Sequence, residues 1–182
     1  MLQTWLRSAA IALCAMWLGA AAPAFADDYE RGLSAYNRAD YAAAFAQWEN
    51  LAVLGDPHAQ FGLAVMYSLG QNVTQDHGAA AAWFHLAAIR GHRGAQLSVG
   101  HSYQHGLGVA QDYGLAHLWY LAAAEQGEAK AQNNLGTMYE KGLGVPADVD
   151  LAIYWYEEAI RNGNRNARAN LVRLHQAQRH AD

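Results

Sequence analysis

Cysteine, proline and charge are all scarce in this chain of 182 residues. Cys14 is its only cysteine, proline occurs three times, and 15% of the residues are charged, against about 25% in ordinary soluble domains. A lone thiol excludes a disulfide framework, and three prolines exclude a Pro-rich stalk. Beta-hairpin alternation is absent, and the longest apolar run, about 14 residues from Ala9 to Ala22, falls short of the ~20 that span a bilayer as a helix. Signatures of catalysis are missing too. The chain has no G-x-S-x-G, no paired carboxylates in register, no phosphate cradle after a strand and no nucleophile–base constellation. What is present in quantity is apolar: 53% of residues are hydrophobic, enough to bury a core and to exclude disorder for most of the chain. The net charge of -4 gives no basic footprint for nucleic acid.

The first 26 residues read as a secretory signal peptide. Arg7 precedes the apolar run, Ala24-Phe25-Ala26 supplies small residues at a cleavage site, and Asp27-Asp28 restores polarity. Cleavage after Ala26 removes Cys14, leaving a mature chain with no thiol for a disulfide, a thiolate metal site or a nucleophile. The expected location is periplasmic or secreted, with stability supplied by packing.

From there the chain repeats every 36 residues. Asp40, Asp76, Asp112 and Asp148 keep this interval, as do Gly55, Gly91, Gly127 and Gly163; Ala59, Ala95, Ala131 and Ala167; Tyr67, Tyr103 and Tyr139; and Trp83, Trp119 and Trp155. Five position classes holding one period without insertion are the mark of a stacked array.

Each unit reads as two helices. In the first, Ala95, Val99, Gly100 and Tyr103 span a sector of about 140° at ~100° per residue, which predicts one buried face. Gly or Ala at the Gly100 slot (Ala64, Gly136 in the sister units) leaves room for a neighbouring helix backbone. In the second helix Ala116, Trp119, Tyr120, Ala123 and Ala124 share a face, and its aromatics read as packing. Between the helices, Gly106-Leu107-Gly108-Val109-Ala110-Gln111-Asp112 and its echo from Gly142 to Asp148 predict a left-handed helix end, a second positive-φ residue (Gly108, Gly144 or Asn72) and an aspartate N-cap. A single hairpin cannot enclose such faces, so neighbours must stack.

The run Ala-x-x-x-Leu-Gly-x-x-Tyr-x-x-Gly-x-Gly-Val-x-x-Asp-x-x-x-Ala-x-x-Trp-Tyr-x-x-Ala-Ala over residues 131–160, with Ile160 at the last position, resembles the Sel1-like repeat, a relative of the tetratricopeptide repeat. Units from Ala59 and Ala95 fit it as well, with Ala64 and Asn72 in place of glycine in the earlier one. The resemblance implies an all-α fold, a right-handed α-solenoid of stacked antiparallel helix pairs, and a non-enzymatic scaffold or adaptor without cofactors. Some cysteine-rich relatives carry disulfides or were proposed as hydrolases, but a mature chain without cysteine inherits nothing from them. The organisation expected is a divergent helix pair over 27–54, repeats at about 55–90, 91–126 and 127–163, and a capping helix over 164–182.

Binding is expected on the stripe of the first helices opposite their packed face, if those helices line the inner curve. That stripe holds His58, Phe61, Val65 and Ser68, then Gly94, Leu97, His101 and Gln104, then Lys130, Asn133, Thr137 and Glu140. Phe61, Val65, Leu97, His101, Gln104, Asn133, Thr137 and Glu140 are the partner-binding candidates, for a protein or peptide of the cell envelope. Alternatively, the N-terminal pair folds over Phe61 and Leu97 and makes them core. His101 and His105 have i, i+4 spacing, but two ligands without a matching carboxylate do not make a metal site. From Arg161 onward five arginines face one acid, +4 against -9 for residues 27–160. This basic end is either a solvated cap or a contact for an anionic surface. A binder of glycan, peptidoglycan or anionic lipid is therefore the alternative to the protein adaptor.

Overall fold

The computed structural model describes residues 27–179. The expected signal peptide 1–26 and its cleavage after Ala26 lie outside the described residues. Among the described residues the secondary structure is helical throughout. Helix α1 covers residues 27–37. It is followed by α2 (Tyr41–Val53), α3 (Pro57–Leu69), α4 (His77–Ile89), α5 (Arg93–His105), α6 (Tyr113–Glu125), α7 (Ala129–Lys141), α8 (Val149–Arg161) and α9 (Arg165–Arg179).

The periodic residues set the helix ends. Asp40, Asp76, Asp112 and Asp148 are the N-caps of α2, α4, α6 and α8, each carboxylate accepting from the amide three residues on at 2.9–3.2 Å, which satisfies one of the free donors of the first turn. Gly70, Gly106 and Gly142 close α3, α5 and α7 in the left-handed region. Asn72, Gly108 and Gly144 also have positive φ (63°, 73° and 71°), as the spacing predicts. At Gly108 a side chain is excluded for a second reason: a Cβ there would run into the backbone carbonyl of His77.

Each helix packs on its neighbours in sequence, α3 against α4, α5 against α6 and α7 against α8 most extensively, with α4–α5, α6–α7 and α8–α9 joining one pair to the next. The fold is an α-solenoid, its core running as a chain of clusters along the stack. The ring that fills each unit is not the tryptophan of the repeat. Trp83, Trp119 and Trp155 are only half-buried, whereas Tyr120 and Tyr156 are fully buried and Phe84 is 8% exposed. Trp48 takes the equivalent place in the divergent pair and is 2% exposed. The small residue in α5 and α7 therefore makes room for a ring, not for a helix backbone: a Cβ on Gly100 or Gly136 would stand 2.6 Å from the ring of Tyr120 or Tyr156. Burying such a ring removes ~150–250 Å² from water, an upper-bound gain of several kcal/mol at ~25 cal/mol per Å². That offsets the ~1 kcal/mol of helix propensity lost at each glycine.

Candidate functional site

The candidate stripe lies on α3, α5 and α7, and its two ends differ. Phe61 is half-buried, stacked on His92 (ring centroids 4.5 Å) and tilted against Phe84 (5.5 Å). Val65 packs with the same cluster and Leu97 with the next. These residues lean on the units that follow them, and the core that the N-terminal pair shares with α3 does not include them. His101 is exposed, its ring 4.4 Å from that of His105. No group of three histidine, cysteine or carboxylate side chains able to hold a metal occurs among the described residues.

Further along, the stripe is tied up within the protein. Gln104 Oε1 accepts from the Tyr120 hydroxyl at 2.7 Å. Glu140 accepts from the Tyr156 hydroxyl at 2.7 Å and from both arms of the Arg173 guanidinium, at 2.5 and 2.8 Å. Thr137 Oγ1 lies 3.1 Å from the same Tyr156 hydroxyl, and Asn133 Oδ1 accepts from Asn170 at 2.9 Å. The Arg173 hydrogen bond is the chief cause that holds the Glu140 carboxyl below its usual range, with the Tyr156 bond adding to it against the effect of burial. Burial pushes the Tyr156 phenol up to about 12, so it stays a donor.

Openings touch the stripe in three places: Phe61 lines one of about 560 Å³ with His58, Arg90 and His92, and the other two share lining residues. One is a cavity of about 290 Å³ between α3, α4 and α5, floored by Ala80, Phe84 and Leu107 and edged by Ser68, Ser98 and His101. The other, about 310 Å³, shares Ser98 and His101 with it and continues past Leu97 to Lys130, Asn133, Asn134, Asn164 and Asn166. The two meet at Ser98 and His101, the first lined by apolar side chains and serines, the second largely by amides.

Three features escape a reading of the stripe alone. Gln60, Gln96 and Gln132 are buried, and each donates to a carbonyl eight residues back, of Ala52, Ala88 and Ala124 (2.9, 3.2 and 3.0 Å), tying each first helix to the helix before it. Their own 36-residue spacing was the available signal. Donors from the following unit, Gln126 and Asn162, reach Gln96 and Gln132 at 2.7 and 2.9 Å. Arg90 occupies the corresponding place for Gln60, turns to the Leu86 carbonyl instead, and leaves Gln60 Oε1 without a partner. His117 is buried with its Nε2 2.9 Å from the Tyr139 hydroxyl, and burial lowers its pKa. Finally, Val53, Leu54, Ile89 and Leu118 are exposed on or just past the second helices.

The Sel1 repeat model matches residues 57–92, 94–128 and 129–164, more than half of the chain. The chain belongs to the Sel1 repeat family. Proteins built from Sel1 repeats are generally protein–protein interaction scaffolds. Among solved structures, a protective antigen of uropathogenic Escherichia coli strains that displays an SLR fold is 36% identical over 81% of the chain, with a TM-score of 0.77. A Sel1 repeat protein from Oxalobacter formigenes is 30% identical over 80%, with a TM-score of 0.76. The chain spans 32% and 58% of the length of these two structures. The cysteine-rich protein B of Helicobacter pylori shares the fold at 20% identity and a TM-score of 0.57, over 72% of the chain and 95% of its own length. No curated protein matches the chain significantly. Among the described residues no helix of this Sel1 repeat protein is long and apolar enough to cross a membrane.

Proposed function

We propose that this Sel1 repeat protein is an exported adaptor, periplasmic or secreted, that binds a protein or peptide of the cell envelope along the first-helix stripe, and that it has no catalytic activity. The observation that carries this reading is the contrast along the stripe. Asn133 and Glu140 are bonded to α9 and Thr137 to Tyr156 of α8, while Leu97 and His101 border openings on the surface and Phe61 lines another. A partner gains most where apolar surface is still open, because buried hydrogen-bonding groups left unmatched cost more than they return. Gln104 and Glu140 then serve mainly to hold α6 and α8 in place, and the binding surface contracts to the openings beside Leu97, His101 and Lys130.

The test is photo-crosslinking in intact cells from a probe at Leu97 or Lys130, with probes at Leu118 and Tyr154 on the second helices as controls. One stoichiometric protein captured from the first pair only supports the adaptor. Capture from the second pair only overturns the choice of face.

A second reading, an anionic envelope surface, draws on α9. Arg173 is committed to Glu140, but Arg165 and Arg168 are exposed and edge an opening of about 560 Å³ with Ile160 and Asn164. Salt-sensitive binding to anionic vesicles, lost in Arg165→Gln/Arg168→Gln, would favour it.

A further inference from the structure

The cavity at the first repeat junction has a cause that can be read from its sister junctions. The same node recurs wherever a second helix lays its ring between two first helices, and its side chains follow the 36-residue interval. Between α1 and α3 it is filled by the Trp48 indole and Met66, both buried. Between α5 and α7 it is filled by Tyr120, Gln104 and Met138, and between α7 and α9 by Tyr156, Glu140 and Leu174. Between α3 and α5 the side chains that fill the two later nodes are replaced by smaller ones. Phe84 lacks the hydroxyl, Ser68 stands for Gln104 and Glu140, and Ser102 stands where Met66, Met138 and Leu174 stand. Ser98 replaces Asn134 and Asn170. Protein interiors are packed without voids of this size, and these four truncations, which His101 in the place of Thr137 does not make good, leave about 290 Å³ open.

We infer that this cavity is a recognition pocket for a tyrosine side chain of an extended partner segment, with an acidic residue of that segment beside it. The inference rests on the adaptor reading above. Size supports the ring: an apolar cavity of ~150 Å³ takes up benzene, so about 290 Å³ accommodates a phenol with its methylene. Chemistry supports the hydroxyl: Ala80, Phe84 and Leu107 offer an apolar seat, and the Ser68 and Ser98 hydroxyls, which donate to the Val65 and Gly94 carbonyls, face a guest as acceptors. The protein's own Tyr120 and Tyr156 place a phenol at this node with its hydroxyl on a stripe side chain. Charge complementarity supports the acid. Lys130 is the only lysine, arginine or carboxylate side chain lining the adjoining opening. Among the described residues it takes part in no ion pair, whereas Arg93, Arg161 and Arg173 do. Of the amides lining the same opening, Asn133 and Asn164 are engaged by Asn170 and Ala129, which leaves Asn166 for the main chain of an extended segment.

The experiment is an NMR titration of the protein with p-cresol, then with a capped Gly-Tyr-Asp-Gly peptide and its Gly-Ala-Asp-Gly counterpart. Saturable shifts at Ala80 and Leu107 with p-cresol are expected, together with at least about tenfold tighter binding of the tyrosine peptide than of its alanine counterpart, the energy of one well-seated ring. Ser102→Met, which installs the side chain of the sister nodes, should abolish both and raise Tm. Ser102→Leu, which copies the last node's Leu174, provides the same check if the methionine variant misfolds. Lys130→Gln should weaken the peptide and leave p-cresol unchanged. Absence of p-cresol shifts, or shifts that survive both Ser102 variants, would overturn the pocket. Binding of p-cresol without the tyrosine peptide would make it a site for free small aromatics and overturn its role in docking. Failure of crosslinking in cells while the peptide still binds would count against the adaptor reading alone.

Discussion

The first and last repeat junctions share one backbone plan and use the same positions in opposite ways. At the last, Tyr156, Glu140, Thr137 and Arg173 close a network that links α7, α8 and α9. At the first, Phe84, Ser68 and His101 occupy those places, and the node stays open. Repeat architecture makes this possible. Because each unit touches only its neighbours, stability is roughly a sum over units and interfaces, and a unit can forgo packing so long as adjacent ones retain theirs. The closed junction ties three helices together, and the open one leaves side-chain surface uncovered.

The largest expected difference comes from removing the ring at each node. Tyr156→Ala should cost ~3–5 kcal/mol, the usual range for deleting a buried aromatic, because the ring is fully buried and its hydroxyl anchors Glu140. Phe84→Ala should cost about 1–2 kcal/mol less, since part of its surface already borders a cavity and lacks packing contacts to lose. Urea unfolding of the two variants measures both, and equal losses would erase the distinction between the junctions.

Next in size is Glu140→Gln. A hydrogen bond to a charged group contributes ~1.5–3 kcal/mol, and Arg173 is more than half exposed, so a loss of about 1–2 kcal/mol at neutral pH is expected after screening. Its pH dependence is diagnostic. The folded protein holds the Glu140 carboxyl below its ordinary value of 4.5, so the stabilisation is present above that value and is lost as pH falls through the depressed one. The variant should therefore show a flatter acid limb in Tm against pH. Gln104→Glu in the preceding unit, where no arginine corresponds to Arg173, should not steepen that limb in the same way.

Much of this arrangement was legible in the chain. The Asp40, Asp76, Asp112 and Asp148 caps and the positive φ at Asn72, Gly108 and Gly144 follow from local chemistry that recurs at a fixed interval, so period and residue type suffice. The face of each helix was legible too, since Ala95, Val99 and Gly100 or Ala116, Ala123 and Ala124 are buried as a group. What failed was depth within a face. Trp119 and Tyr120 share a side of α6, and hydrophobicity favours the indole as the buried ring, but the smaller ring fits flat against Gly100 and the larger is left half-buried at the edge. The spent state of Gln104 and Glu140 escaped for a related reason. A polar residue on an outward stripe reads as available, and only the reach of a tyrosine hydroxyl from the next helix shows that it is not.

A smaller contrast separates the helix starts beside the two junctions. Asn164 caps α9 through its amide oxygen, which accepts from Asn166 and Ala167 at 3.0 and 3.3 Å. His92 caps α5 through Nδ1, which accepts from the Ala95 amide at 3.1 Å and can do so only while unprotonated. Burial first, and the neighbouring His58 second, lower the His92 pKa below 6.5. A histidine kept neutral in the fold contributes stability above the unfolded value that is lost as pH falls from 6.5 toward the lowered one. Replacing a cap costs ~0.5–2 kcal/mol, and the loss on acidification should approach the lower end. His92→Asn should keep the cap and remove this loss, read as amide exchange of α5 at pH 7 and pH 5.

The smallest effect is the most direct probe of the difference. Phe84→Tyr adds to the first junction only the hydroxyl that the others possess, and Ser68→Gln adds only the acceptor. Alone, each should change stability by about 0.5 kcal/mol or less, because an uncompensated polar atom gains little at a solvent-reached cavity. Together they should couple by about 0.5–1.5 kcal/mol, with the new phenol bonded to the introduced glutamine as Tyr120 is to Gln104 at 2.7 Å. A thermodynamic cycle on the four proteins measures this term. A coupling near zero would mean that the backbone of the first junction is set differently, and that its cavity is not the shared node with smaller side chains. A positive coupling accompanied by loss of the tyrosine peptide would show one position serving either the stack or the partner, since the same few cubic ångströms cannot hold the protein's own hydroxyl and a guest's.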